Sequence, residues 1–484
     1  MKHKFFDPIV CLISMTMLFL CCSNCSEGDS GSGTSDKPYL RVSFSEKTVG
    51  NSTGSTELYV TSNTEWIAES RSKWIHMDVA RGEGDLAVRI SYDENENPEG
   101  NPKRMGAVRF NAVGVNPVEV VLTQSALVFT NPIPIDGQMA TMPDPYIVQD
   151  GEWYYACKAS GNGIGISKSK RLTEIAATTK VWSMPSENAS MKPWNVKDLW
   201  APELFHIDGH WYVYYAAGRR DLPDTDNTTI SGYGSQRTGV LRSKTDDPLT
   251  GGWEDMGMLY TGESDDVPTG DAITRENTEY AIDMTTFEVN GQRYAVWSGN
   301  RKTNSVQQIR IAKMSNPYTI SSGFRILSSP DQPWEKLSST VNEGPAVLVN
   351  EAKGKIFIVY SCNGSWTKHY KLGWLMLNIG DDPMEPSNWQ KSPGAVFDRL
   401  DNTSSPIYGV NGVGHNTFTK SPDGTEDWIV YHVMAFRDDN GGGGGWGVRY
   451  PFIQRFSWNE DGTPDFGAPV SWGEPLDLPS GEDR

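Results

Sequence analysis

The chain has 484 residues, enough for two or three domains, and its formal net charge of −18 argues against nucleic acid and anionic membrane surfaces as partners. Its 48 glycines and 17 tryptophans are typical of a β protein rich in turns and aromatic residues. The seven histidines form no ligand-spaced pair with cysteine, so the sequence gives no support for zinc chemistry.

Residues 1–25 are predicted to be a signal for export. A basic start, MKHK, leads into an apolar stretch at 9–20 that is too short to cross a bilayer as a helix. The cysteines that follow resemble the lipidation site of a bacterial lipoprotein, and the lipidated residue would be Cys21 or Cys22, with Cys25 less favoured. This resemblance implies lipid anchoring at the outer membrane, in the cell envelope, facing the periplasm or the cell surface. Ordinary secretion with cleavage nearby is the alternative.

A Ser/Gly-rich segment at 26–37 is predicted to be a flexible linker, and its acidic residues resemble export signals of Bacteroidetes surface lipoproteins. Residues 38–125 contain short alternating strands separated by turns, a pattern typical of a small β-sandwich. The stretch from TSNTEWIAES to VEVVLTQ resembles the BACON domain, which implies an immunoglobulin-like sandwich. Trp66 and Trp74 are predicted to fill its core rather than to bind sugar.

A hairpin pattern recurs five times in residues 130–484. Each copy has an alternating apolar strand, a loop containing glycine and a second strand of high β propensity. The copies begin at Asp144, Ala201, Asp283, Glu343 and His415. Their spacing of roughly 55 to 80 residues is long for a lone hairpin but typical of propeller blades with variable outer loops. The sequence therefore predicts an all-β protein, an N-terminal β-sandwich followed by a five-bladed β-propeller.

Three of the five leading positions carry carboxylic acids, namely Asp144, Asp283 and Glu343. A propeller places equivalent positions of its blades around one axis, so these acids and His415 are expected to converge on one pocket. A lone Asp beside a turn is usually a cap, but three acids at equivalent positions weaken that interpretation. Crowded like charges are costly, and folds tolerate them mainly where they do chemistry. Hydrolysis of a glycosidic bond uses such a set, since one carboxyl group protonates the leaving oxygen and another activates water.

Five segments of this region carry motifs in a fixed order: MPDPYIV, WAPELFHIDGHWYVYYAAG, AIDMTTFEVNGQRYAVWSG, VNEGPAVL and GVGHNTF. Together they resemble glycoside hydrolase family 43, over essentially all of residues 130–475. The resemblance implies a five-bladed propeller that hydrolyses α-L-arabinofuranosides or β-D-xylosides with inversion of the anomeric configuration. It implies no required cofactor, with calcium as an optional structural ion.

The same resemblance implies a role for each leading residue. Asp144 in PDP would be the general base, Glu343 in NEGP the general acid, and Asp283 in IDMTTF the third acid, which tunes the pKa of the general acid. Physical chemistry agrees, because a neighbouring Asp283 carboxylate disfavours ionisation of Glu343. His415 in GHN would lie near the propeller axis, close to any bound calcium. Arg449 in VRYPFIQ would contact the sugar.

The identity of the sugar is a further expectation. Trp200, just before the second repeat, is a candidate for stacking on it, since aromatic faces suit the C–H-rich side of a pentose. The motifs look most like the arabinofuranosidase branch, which implies exo-release of α-L-arabinofuranose from arabinan or arabinoxylan-type plant cell-wall polysaccharide. A β-D-xylosidase or an endo-arabinanase is the alternative, and a non-catalytic sugar-binding propeller is disfavoured because all three acids are present. The insert at 219–236 is a candidate for closing one end of the pocket.

Overall fold

The computed structural model describes residues 37–96, 102–189, 191, 193–219, 232–300, 306–400, 410–435 and 444–482. That part of the chain is all-β, as predicted, and its helices are short 3-10 turns. These turns span Gly232–Ser235, Gly270–Ala272, Pro333–Glu335, Glu351–Lys353, Pro386–Asn388 and Gly444–Val448. No helix in the described residues is both long enough and apolar enough to cross a membrane. The predicted export signal, nearly all of the predicted linker and most of the 219–236 insert lie outside the described residues.

The first nine strands form two sheets that share one core. They are β1 (Leu40–Val42), β2 (Glu46–Gly50), β3 (Gly54–Ser62), β4 (Glu65–Ser70), β5 (Ile75–Met77), β6 (Arg81–Glu83), β7 (Leu86–Tyr92), β8 (Lys103–Ala112) and β9 (Val118–Ser125). The strand orders are β1-β3-β7-β5 and β2-β9-β8-β4-β6. Alternating burial along the strands turns one face of each sheet towards a common apolar cluster. Trp66 is 1% exposed within that cluster, which confirms the core prediction for this residue, and Trp74 is partly buried and packs against the cluster.

After β10 (Val128–Thr130), five more sheets follow, each built from consecutive antiparallel strands. The first sheet contains β11 (Tyr146–Asp150), β12 (Trp153–Ser160), β13 (Gly163–Ser169) and β14 (Thr179–Ser183). The second sheet contains β15 (Lys197–Ile207), β16 (His210–Gly218), β17 (Arg237–Ser243) and β18 (Trp253–Met258). The third sheet contains β19 (Tyr280–Val289), β20 (Gln292–Asn300), β21 (Gln308–Asn316), β22 (Thr319–Ile320) and β23 (Arg325–Ser328). The fourth sheet contains β24 (Asn342–Asn350), β25 (Lys355–Cys362), β26 (Lys371–Asn378) and β27 (Gln390–Lys391). The fifth sheet contains β28 (Asn411–Lys420), β29 (Asp427–Met434), β30 (Arg449–Trp458) and β31 (Pro464–Asp465). In every sheet the first two strands pair as the hairpin that the repeat predicts.

Side-chain packing joins these five sheets. The first strand of each sheet contacts the first strand of the next, and β11 also contacts β28. An apolar cluster lies between each neighbouring pair, and the one that includes Ile147 and Trp428 joins the first sheet to the fifth. Among the described strands, none is shared between the first and fifth sheets. β10 pairs instead with β32 (Pro475–Asp477), the strand that follows the fifth sheet.

In the fourth and fifth sheets, the end of the second strand lies beside the start of the first strand. The pairing of Asn342 with Cys362, and of Asn411 with Met434, sets the start of each first strand beside the end of its second strand. Residues 363–370, and residues 435 and 444–448 on either side of the Met434–Arg449 pair, therefore lie at the same end as the first residues of β24 and β28. The leading residues of the repeats lie at this end.

Candidate active site

The leading residues share a backbone irregularity. In the second to fifth sheets the first strand leaves two residues out of its pairing at the same place: between Trp200 and Glu203, Ile282 and Thr285, Glu343 and Ala346, and Gly414 and Thr417. The first unpaired residue has a positive φ in each: Ala201 (38°), Asp283 (54°), Gly344 (56°) and His415 (49°). Asp144 has a φ of 54° two residues before the pairing of β11 begins, so it takes this place in the first sheet. A bulge of this kind re-aims a side chain at the end of a strand.

This register corrects one sequence prediction. Gly344, not Glu343, is the counterpart of the positive-φ residues in the other sheets, and Glu343 lies one residue earlier. Aligning the repeats by their ionisable side chains hides this offset, because Glu343 is ionisable and Gly344 is not. Glycine suits the position, since it adopts positive φ without steric cost and a Cβ there would lie 3.2 Å from His415 Cγ. Glu343 therefore reaches the site from a different backbone position than the two aspartates.

Asp144 lies among groups that stabilise its charge. Its Oδ1 accepts a hydrogen bond from Arg449 Nη1 at 2.6 Å and lies 3.2 Å from His415 Nδ1. Its backbone N–H donates to His432 Nδ1 at 3.4 Å. Burial acts to raise the pKa of Asp144, but Arg449, then His415 and His432, outweigh burial and lower this pKa to about 2. Asp144 is therefore an ionised acid at neutral pH.

Glu343 lies in an environment that favours its protonated form. Its Oε1 accepts a hydrogen bond from Tyr370 Oη at 2.9 Å, and its Oε2 lies 3.5 Å from Gln307 Nε2. Burial raises the pKa of Glu343, the Tyr370 hydrogen bond opposes that change, and the charge of Asp144 adds to it. The result is a pKa of about 7. Near neutral pH, Glu343 can therefore hold a proton and give it up.

Asp283 connects the third and fourth sheets. It is 3% exposed, and its Oδ2 accepts a hydrogen bond from the Gly344 backbone N–H at 3.0 Å. Burial, followed by the charges of Glu343 and Asp144, raises the pKa of Asp283 well above its usual range. The site therefore carries fewer than three negative charges near neutral pH. One ionised acid beside acids that retain a proton is the arrangement that paired base and acid chemistry needs.

Two more of the predicted site residues, Arg449 and His415, contact Asp144. Arg449 is the first residue of β30 and is 8% exposed, with its guanidinium bound to Asp144. His415 is also 8% exposed, and its backbone N–H donates to Ser361 Oγ of the neighbouring sheet at 2.8 Å. Burial lowers the pKa of His415, although the charge of Asp144 opposes this change. Arg449 is thus the permanent positive charge beside Asp144.

Trp200 lies in the second sheet, at the register position that Glu343 takes in the fourth. It pairs with Ala216 and is half-buried. The shared bulge places it at the end of the sheets where the acids meet.

Tyr370 and His432 belong to the site but were not predicted from the sequence. The Tyr370 ring stacks on His432 with centroids 5.5 Å apart and an interplanar angle of 5°, and its hydroxyl binds Glu343. His432 is fully buried. Its position at the end of the fifth repeat, in WIVYH, was a usable signal, since the second strands end beside the leading residues. Tyr370 lies on a loop outside the repeat pattern and gave no such signal.

Glu203 is a fourth buried carboxyl group that the sequence analysis missed. It is 5% exposed, and burial, followed by the charge of Asp283, raises its pKa well above the usual range. It lies two residues after Ala201, the one leading residue without an ionisable side chain. Reading each repeat two residues further would have found it.

The resemblance allows, but does not require, a structural calcium ion near His415. His415 directs Nδ1 at Asp144. In the part of the chain that the structure describes, no group of three or more His, Cys, Asp or Glu side chains could hold a metal ion.

Comparison with known proteins gives the context of this geometry. The family described as glycosyl hydrolases family 43 matches residues 129–464. The "Extracellular exo-alpha-(1->5)-L-arabinofuranosidase" of Streptomyces avermitilis is 33% identical over 354 residues, which cover 72% of this chain and 65% of that protein. "Alpha-L-arabinofuranosidase 43" of Humicola insolens is 33% identical over 338 residues, which cover 68% of this chain and 62% of that protein. The chain thus spans slightly less than two thirds of either relative.

A solved structure supports the same comparison. The crystal structure of alpha-L-arabinofuranosidase from Lactobacillus brevis superposes with a TM-score of 0.59 at 30% sequence identity. The match covers 71% of this chain and 98% of that chain.

Proposed function

This chain belongs to glycosyl hydrolases family 43, and we propose that it is an inverting, exo-acting α-L-arabinofuranosidase. Its substrate would be terminal α-L-arabinofuranose on arabinan or arabinoxylan-type plant polysaccharide. The names of the two relatives, one of which specifies exo-action on (1→5) linkages, favour this activity over β-D-xylosidase or endo-arabinanase activity.

One observation carries the proposal: a single site holds Asp144 with a pKa of about 2 and Glu343 with a pKa of about 7. We assign Glu343 as the general acid that protonates the leaving oxygen and Asp144 as the base that takes a proton from water. We propose that Asp283, the third acid, positions Glu343 through its hydrogen bond to the Gly344 backbone N–H, while the charge that raises the pKa of Glu343 is that of Asp144. Arg449 keeps Asp144 ionised and has donors left for sugar hydroxyls.

The test of this function is a comparison of 4-nitrophenyl α-L-arabinofuranoside with 4-nitrophenyl β-D-xylopyranoside, together with the products released from arabinan. We expect a higher kcat/KM on the arabinofuranoside and arabinose monomers from arabinan. A preference for the xyloside by about tenfold or more, equivalent to about 1.4 kcal/mol of transition-state binding, would establish the xylosidase instead. Release of oligomers first would establish endo-action. A double variant, E343Q with D144N, prepared in the same way, controls for contaminating glycosidases.

The anomeric configuration is expected to invert. Asp144 and Glu343 come from the first and fourth sheets, which are not neighbours in the packing order, so we propose that they face each other with room for water between them. In inverting sites the two carboxyl groups lie roughly 6.5–9.5 Å apart, against about 5 Å in retaining sites. Proton NMR during the first moments of hydrolysis should show the β-anomer from an α-arabinofuranoside. Initial appearance of the α-anomer would mean retention.

The pH dependence should report the protonation of Glu343. The acid must be protonated to act, so kcat/KM should fall as the pH rises through about 7. The Tyr370 hydroxyl stabilises the ionised form of Glu343, so Tyr370→Phe should raise the pKa of Glu343 and move this basic limb to higher pH. Measurement of kcat/KM against pH for both proteins checks the shift. A uniform loss of activity at every pH, with the limb unmoved, would show only structural damage.

We propose that residues 130–484 form a five-bladed β-propeller and that 38–125 form an immunoglobulin-like, BACON-like sandwich that acts as a spacer. The sandwich has its own core, and two ion pairs reach β32 and the residue before it: Lys47 to Glu474 at 2.8 Å and Lys103 to Asp477 at 2.9 Å. Solvent reaches the side chains of both pairs, which are 27–51% exposed, and ion pairs of this kind contribute little to stability. Deleting residues 38–125 should therefore leave the rate on an aryl arabinofuranoside within a few-fold. A folded deletion variant with a collapsed rate would mean that the sandwich shapes the pocket.

We also propose that residues 1–25 direct export and that Cys21 or Cys22 carries the lipid. The relative from Streptomyces avermitilis is named as extracellular, which supports export. Labelling with palmitate in cells that express the full chain, or its C21A and C22A variants, distinguishes an anchored protein from a freely secreted one.

A further inference from the structure

Two tryptophans meet at the end of the sheets where the acids lie. Trp366 belongs to the loop at 363–370 of the fourth sheet, and Trp446 to the Gly444–Val448 turn just before β30 of the fifth. Their ring centroids are 5.0 Å apart at an interplanar angle of 66°, and Trp446 Nε1 donates to Ser365 Oγ at 3.1 Å. The pair therefore joins two loops that belong to different sheets.

Each of these loops also holds a residue that contacts a proposed catalytic acid. The Trp446 carbonyl oxygen accepts a hydrogen bond from Arg449 Nε at 3.3 Å, and the same guanidinium binds Asp144. The loop of Trp366 ends at Tyr370, which binds Glu343. The tryptophan pair thus lies beside the site, linked through Arg449 to the proposed base Asp144 and through Tyr370 to the proposed acid Glu343.

Trp446 presents apolar surface in a fixed position. It is 43% exposed, whereas Trp211 and Trp297 in the sheet cores are at most 1% exposed, so it does not serve as a core residue. Its N–H is already bound to Ser365, and the backbone before it is tightly packed, since a Cβ on Gly445 would lie 2.4 Å from the Trp366 carbonyl oxygen. A rigid indole with its polar atom satisfied and its ring exposed suits the C–H face of a sugar ring.

We propose that Trp446, supported by Trp366, is a platform for the sugar ring on the leaving-group side of the scissile bond. This inference rests on the proposed glycosidase function. The arabinofuranosyl ring that is released would lie deepest, against Asp144 and Arg449, so the next ring of the polymer emerges at the rim where Trp446 is exposed. The platform would favour substrates with a second pentose ring over substrates without one.

The test compares α-1,5-arabinotriose with α-L-arabinofuranosyl fluoride, whose leaving group has no ring. Trp446→Ala should lower the ratio of kcat/KM on the triose to kcat/KM on the fluoride by about tenfold, the size of one aromatic contact. Trp446→Phe should retain most of the ratio, because it keeps a ring while losing the hydrogen bond to Ser365. Tyr59→Ala, at a 56% exposed ring in the N-terminal sheets, should leave the ratio unchanged.

The outcomes separate this inference from the function on which it rests. A wild-type protein that hydrolyses neither substrate overturns both. A wild-type protein active on both substrates, with an unchanged ratio in the Trp446→Ala variant, overturns the platform alone. An equal loss of the ratio in the Ala and Phe variants also overturns it, since the loop geometry and not the ring face would then be responsible.

Discussion

Replacing Glu343 with Gln should lower kcat/KM on arabinan by about 10³-fold, within the range that a positioned general acid contributes. The reason is that the sugar alkoxide is a poor leaving group and must be protonated as it departs. Activity on 2,4-dinitrophenyl α-L-arabinofuranoside should fall far less, because that leaving group departs without a proton. The basic limb near pH 7 should vanish from the profile of the variant. Steady-state kinetics on both substrates check the prediction.

A matched control lies on the same stretch of chain. Glu351 follows the far end of β24 and is exposed, so Glu351→Gln changes the same side chain away from the site. It should leave both activities at wild-type levels. Equal losses on arabinan and on the activated substrate in Glu343→Gln would remove Glu343 from the role of acid.

The strands could be predicted because their signals are local. Alternation of apolar residues and glycine-containing turns in each repeat specify a hairpin without knowledge of the rest of the chain. The first two strands of all five sheets follow this pattern, from Tyr146–Asp150 onward. The third and fourth strands follow connections of variable length, so the repeat pattern does not fix where they begin or which residues they pair with.

The site could be predicted only in part, for a similar reason. Asp144, Asp283 and His415 share one backbone position, so a repeat alignment finds them together. The offset of Glu343 from that position is set by the bulge, which follows from φ at Gly344 and not from side-chain type. An alignment by chemistry therefore finds the acid and misplaces it by one residue.

The electrostatics depend on contacts between distant parts of the chain. Repulsion between Asp283 and Glu343 is foreseeable once the acids are expected to converge, but burial is the first cause of both raised pKa values. Tyr370 binds Glu343 from a loop outside the repeat, and its ring is oriented by stacking on His432 of the next sheet. Neither contact could be predicted from the spacing of these residues in the sequence.

Asp144→Asn should abolish activity on both kinds of substrate, by about 10³-fold or more, because the attacking water needs a base whatever the leaving group. This equal loss separates the role of Asp144 from that of Glu343. The amide keeps the shape of the side chain but removes the charge that pairs with Arg449 Nη1 at 2.6 Å, so a thermal melt must accompany the kinetics. The matched control is Asp150→Asn, at the far end of β11, where the side chain is 42% exposed. If Asp144→Asn retained activity on the dinitrophenyl substrate while losing arabinan, Asp144 would be the acid. A general acid must hold a proton, which the low pKa that Arg449 gives Asp144 does not allow at neutral pH. The roles of acid and base assigned to Glu343 and Asp144 would then have to be exchanged.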